Sequence, residues 1–121
     1  YKVEQLAFIN SFSKQTADFN KEELLNIINK SIDSNLGDGN PRGHKNLIIV
    51  MEELAELSQA VAKELRGKGD SINTLEEMAD VCLALCYIKE IFNISDDDLH
   101  KAMKVKMYRV KDNLDKNGVY K

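Results

Sequence analysis

Apolar residues recur along this chain at the three- and four-residue spacing of helices, and nowhere alternate with polar ones over a useful strand length. Leu6, Phe8, Ile9 and Phe12 predict a short helix over residues 3–13. Leu24, Leu25, Ile27, Ile28 and Ile32 form the apolar side of another over residues 21–34, opened by Asn20 with Glu23 in a capping-box pattern. The run Gly37-Asp38-Gly39-Asn40-Pro41-Arg42-Gly43 is the strongest break. Beyond it, Asn40 as a cap and Pro41 in the first turn predict a long helix to about Arg66. Gly67-Lys68-Gly69-Asp70 ends that helix, and Asn73 with Glu76 predicts the next, from Thr74 to about Phe92. Ser95 with Asp98, followed by acids suited to a helix's positive end, predicts the last helix, with Gly118 as its stop.

Lys, Leu, Glu and Ala are frequent and there is one proline, a composition that favours helix. The expectation is a single all-α domain over residues 1–121, a four-helix-bundle type with short connections. At 121 residues the chain can build one hydrophobic core but not two. The net charge of −3 argues against bulk affinity for nucleic acid or membrane. No apolar run approaches the roughly 20 residues needed to span a bilayer. The start, Tyr1-Lys2-Val3-Glu4, has no long apolar core or cleavage-like site, so no signal peptide is expected. It also lacks an initiator Met, which is compatible with a start inside a longer product. Cys82 and Cys86 lie four apart in an apolar stretch, a poor geometry for a disulfide and too few ligands for zinc. They are expected to be small buried residues of a cytoplasmic protein.

The chemistry is concentrated in two acidic clusters, Glu52-Glu53-Leu54-Ala55-Glu56 and Glu76-Glu77-Met78-Ala79-Asp80. Acids at i and i+3 project from one helix face, and the spacing occurs twice. At about 100° per residue, the main core stripe of the third helix is expected to hold Leu47, Met51, Leu54, Val61 and Leu65. Glu52 falls on the far, water-facing side. Glu53 and Glu56 share a second apolar strip with Ile49 and Ala60. In the next helix, residues 81–88 are apolar all round, as expected of a helix covered on every side, and Glu77 and Asp80 lie on the face of Ala84, Ile88 and Ile91. Acids on apolar faces cost free energy unless paired or bound to metal. Two such pairs facing each other would form an all-oxygen pocket suited to Mg²⁺.

In the last helix the apolar stripe holds Leu99, Ala102, Met103, Met107, Val110 and Leu114. Lys106 projects into it and Arg109 lies at its edge. Such a lysine needs an anionic partner, either one of the acids or a substrate phosphate, which lysine meets as a point charge and arginine as a fork. His100 follows Asp97 by three, but no second His completes the pairs of a di-iron bundle.

E-E-x-x-E followed after twenty residues by E-x-x-D, each on its own helix, resembles the MazG-like nucleoside triphosphate pyrophosphohydrolases. The resemblance covers about residues 43–114. It implies an all-α homodimer or homotetramer that hydrolyses nucleoside triphosphates between the α and β phosphates. It further implies Glu53, Glu56, Glu77 and Asp80 as Mg²⁺ ligands, with Glu52 in a supporting role. Either Glu53 or Glu56 would be the base that activates water. Lys106 and Arg109 match the family's phosphate-contacting pair. Where the family often has an asparagine just before that pair, this chain has Met103 and Lys104, and Lys104 takes the position of a phosphate contact. His44 is a further candidate, as a substrate contact or as a residue of the cap region. Phe8, Phe12 and Phe19 could stack on a base or belong to the core. A different class of reading is a non-catalytic helical module that keeps the metal site but senses nucleotide or serves oligomerisation.

Overall fold

The structure is a computed structural model that describes residues 20–35 and 39–118. The helix expected over residues 3–13, with Phe8, Phe12 and Phe19, lies outside the described residues. Four α-helices follow one another, and no strand occurs among the described residues: α1 (Lys21–Ser34), α2 (His44–Leu65), α3 (Ser71–Ile91) and α4 (Asp96–Asn117). The described residues are therefore all-α. It divides into two compact units, Tyr1–Ile91 and Phe92–Lys121.

Within the first unit, α2 and α3 form an antiparallel hairpin. Its closed end is built by a Schellman turn: Gly67 adopts φ 70°, its N–H donates to Glu64 O at 3.0 Å, and Lys68 N–H donates to Lys63 O at 2.9 Å. At the same end the Thr74 hydroxyl donates to Glu64 Oε1 at 3.3 Å. At the open end Gly43 is buried against Ile91, so close that a Cβ at position 43 would fall 2.5 Å from Ile91 Cδ1. With φ 86° as well, only glycine fits there without strain.

The seam of α2 is Asn46, Val50, Glu53, Leu57 and Ala60, the alternating four- and three-residue spacing of side-by-side helices. Asn46, Val50 and Ala60 are buried, and Glu53 and Leu57 are half-buried. On α3 the matching row is Glu77, Val81, Ala84, Ile88 and Ile91, with Ala84 buried and the others half-buried. α1 lays its buried Ile28 and Ile32 into this hairpin. Two hydrogen bonds join it to α3: Tyr87 Oη donates to Ser31 Oγ at 3.1 Å, and Asn29 Nδ2 to Glu90 Oε2 at 3.4 Å.

Several sequence expectations need correction here. The stripe expected to be the core of α2 is exposed at Met51, Leu54, Val61 and Leu65, the last at 84%, because α2 packs through the strip that carries Glu53. α3 is not covered on every side, since Met78, Leu83 and Leu85 are exposed. Its first turn begins at Ser71 rather than Thr74: Asp70 Oδ1 accepts the Ile72 N–H at 2.8 Å and so caps the helix earlier than Asn73 would. α2 begins at His44 rather than at Pro41. The Arg42 guanidinium is drawn onto Asp33 at 3.2 Å and Asn29 at 3.0 Å on α1, and the left-handed Gly43 turns the chain into the helix. Cys82 is exposed rather than buried and Cys86 is half-buried; both thiols are free, and Cys86 Sγ donates to Cys82 O at 3.4 Å.

The second unit is built around α4. Ser95 Oγ accepts the Asp98 N–H at 3.1 Å, and the Gly118 N–H closes the far end on Leu114 O at 3.0 Å. Exposed pairs one turn apart, Asp97–Lys101, Lys111–Asp115 and Asp112–Lys116, lie along it, each contributing about 0.3–0.5 kcal/mol to a helix. No helix among the described residues is long and apolar enough to cross a membrane.

Candidate metal centre

The middle of the α2–α3 hairpin carries the acids. Glu53 sits in the α2 seam and Glu77 in the α3 seam, and each is followed three residues later by a second acid at the seam's edge, Glu56 and Asp80. All four offer a carboxylate oxygen, and these oxygens lie within 4.8 Å of one another. Glu53 and Glu77 are half-buried, while Glu56 and Asp80 are exposed. The clustering follows directly from the fold: antiparallel pairing with closely matched seams brings the two i, i+3 pairs to one level.

This arrangement is electrostatically unfavourable by itself. Glu53 Oε2 and Glu77 Oε2 are shielded from solvent and have no hydrogen-bonding partner, a state that costs about 1–3 kcal/mol for a polar group and more for a charged one. Among the described residues, no ion pair engages any of the four acids. Burial pushes the Glu53 carboxyl above its ordinary range, and the neighbouring charges of Glu56, Asp80 and Glu77 push it further. The Glu77 carboxyl is raised in the same way, by burial first and then by Glu56 and Asp80. A cluster of this kind is relieved by a cation. An all-carboxylate donor set suits a hard divalent ion such as Mg²⁺ or Ca²⁺ and offers nothing to a thiophilic one.

Beside the acids lies a cleft of about 170 Å³, lined by Ile49, Glu53, Asp80, Leu83, Ala84 and Tyr87. Its aromatic wall, Tyr87, is a feature that the sequence reading passed over. So is Asn46, although a polar residue in the four-three seam of Val50, Leu57 and Ala60 is a signal that could have been noticed.

The other expected site residues are not among the four clustered acids. Glu52 is exposed on α2 and is not part of the cluster, as its place on the far face implied. His44 is exposed at the first turn of α2, nine residues before Glu53, or about 13 Å along a helix axis. It does not line the cleft. Lys104, Lys106 and Arg109 are exposed on α4, in the second unit, whereas the acid cluster is built wholly within the first. Arg109 lines a shallow surface hollow with Val105, Tyr108, Lys111, Asp112 and Asp115.

No protein-family model matches the chain, and neither does any curated protein or solved structure.

Proposed function

We propose that this chain is a Mg²⁺-dependent nucleoside triphosphate pyrophosphohydrolase of the MazG-like all-α kind, working as a homo-oligomer. The observation that carries the proposal is the convergence of four carboxylate oxygens from two antiparallel helices within 4.8 Å, with two of the carboxylates holding buried, unpartnered oxygens. Glu53, Glu56, Glu77 and Asp80 would hold the metal. When bound, Mg²⁺ supplies charge neutralisation at phosphate oxygens and polarises water.

The chain's own residues supply the rest. Glu56 is exposed and Glu53 half-buried, so either carboxylate can meet a water at the acid cluster and take its proton as the α–β bond is attacked. The resemblance assigns phosphate contacts to Lys106 and Arg109, with Lys104 as a third cation on the same helix, and their charge suits a pyrophosphate. Hydrolysis then gives nucleoside monophosphate and pyrophosphate. The exposed Met51, Leu54 and Val61, on one stripe of α2, support assembly with further copies, because exposed apolar surface of this kind marks association.

The test is incubation with a panel of ribo- and deoxyribonucleoside triphosphates and Mg²⁺, with pyrophosphate, orthophosphate and monophosphate read separately. Pyrophosphate and monophosphate are expected. Release of nothing from any member of the panel at micromolar protein would overturn the enzyme reading in favour of a nucleotide-sensing module.

A further inference from the structure

The aromatic wall of the cleft is held from behind by a relay across three helices. Tyr87 on α3 donates its hydroxyl proton to Ser31 Oγ on α1 at 3.1 Å. Asn46 Nδ2 on α2 donates to the same oxygen at 3.3 Å, and Asn35 Nδ2 at the end of α1 donates to Asn46 Oδ1 at 3.1 Å. Asn46 is fully buried. A buried amide with both ends bonded contributes little net stability, since its desolvation offsets its hydrogen bonds. An aliphatic residue would serve the packing of that seam at least as well, as Val50 does one turn on. The relay instead removes rotational freedom from one phenol, and that phenol faces the cleft beside Glu53 and Asp80.

The cleft's other walls are chemically simple. Ile49, Leu83 and the small Ala84 supply apolar surface. Its 170 Å³ is below the roughly 300–1,000 Å³ of sites that enclose a whole drug-sized ligand. It has room for one flat ring system next to the acids, and a phosphate chain would have no favourable contact with its apolar side.

We infer that Ser31 and Asn46 are positioning residues that fix the Tyr87 ring as the wall against which the heteroaromatic base of the substrate rests. This rests on the nucleotide reading above and adds to it the residue that meets the uncharged end of the substrate and the relay that holds that residue in place.

The test is calorimetric binding of two probes to the full chain with Mg²⁺. One is whichever of α,β-methylene ATP, GTP, CTP and UTP the unmodified protein binds tightest; the other is inorganic tripolyphosphate. Tyr87→Phe keeps the ring and loses only the hydroxyl, and Ser31→Ala removes the acceptor. Each is expected to weaken the analogue about three- to tenfold, and the double variant no further than Ser31→Ala alone, because that change already removes the Tyr87–Ser31 bond together with the Asn46 bond to the same oxygen. Tyr87→Ala is expected to weaken it by about tenfold or more, the range for loss of an aromatic contact to a base. Tripolyphosphate binding should stay within about twofold throughout. Equal weakening of both probes, or an unchanged analogue affinity in a Tyr87→Ala protein that still melts cooperatively, would overturn the inference. So would unmodified protein that binds tripolyphosphate as tightly as every analogue, or that binds neither probe. If the analogue behaves as expected while no true nucleotide yields pyrophosphate, the hydrolase reading fails and the role of Tyr87 stands.

Discussion

A carboxylate oxygen of Glu53 on α2 lies within 4.8 Å of one on Glu77 of α3, and each residue also holds a buried Oε2 with no hydrogen-bonding partner. Two seam positions that ordinarily take aliphatic residues thus take acids that face each other. The hairpin spends packing free energy to hold them together, and a bound divalent cation would recover it. Four consequences can be measured.

Glu77→Gln should raise the melting temperature of metal-free protein at pH 7.5. The Glu77 carboxyl is raised above its ordinary 4.5 in the folded state. Its favourable contribution is therefore complete below 4.5 and is lost as pH rises through the folded value. At neutral pH the charged form is a liability that glutamine lacks. The gain over unmodified protein should be largest above the raised value and shrink as pH falls toward 4.5. A thermal-melt series from pH 7.5 to 5 in chelator checks the sign.

The same substitution should abolish the response to metal. With Mg²⁺ at about a hundredfold its Kd, unmodified protein should gain about 2.7 kcal/mol, and Glu77→Gln far less. Denaturation with and without Mg²⁺ compares the two.

Glu56→Ala and Glu52→Ala form a matched pair. Both residues are exposed on α2; Glu52→Ala should keep stability within about 0.5 kcal/mol, whereas Glu56→Ala should leave metal-free protein at least as stable, because it removes a charge that presses on Glu53 and Glu77. Glu56→Ala should lose activity by about a hundredfold or more, the range for loss of a general base, and should also lose metal affinity. Glu52→Ala should retain both. Rates and metal titrations on the two proteins separate the clustered acid from its neighbour.

Gly43→Ala should destabilise the first unit. The new methyl would need φ 86° and would strike Ile91 Cδ1. A backbone strain of this kind costs about 1–3 kcal/mol before any displacement of Ile91, and urea unfolding would read it.

The helices and the acid cluster were legible in the sequence because both are local. Asn20, Ser95 and Gly118 end their helices where their chemistry says they should. The i, i+3 acids needed only helical periodicity to be seen as two pairs. The packed face of α2 was not legible. Its stronger apolar stripe, Met51 to Leu65, is the exposed one, and the face that packs carries Asn46 and Glu53, which lower its apparent hydrophobicity. What makes Asn46 acceptable there is Ser31, fifteen residues away in the chain and on another helix. The start of α3 was decided in the same way. Asn73 and Asp70 both have capping chemistry, and Asp70 prevails where Gly69 lies against the Glu64 backbone, with no room for a Cβ, and so lets the chain turn tightly. The partners of Tyr87 are equally long-range, which is why the cleft wall was not visible beforehand.

The most direct measurement is the product balance from a nucleoside triphosphate that the protein consumes, followed over one time course with Mg²⁺, with chelator, and with Glu56→Ala. The expected result is one pyrophosphate per nucleoside monophosphate with Mg²⁺, and neither product with chelator or with the variant. Orthophosphate with nucleoside diphosphate, or equal pyrophosphate release from Glu56→Ala, would contradict the assignment of this acid cluster to α–β hydrolysis.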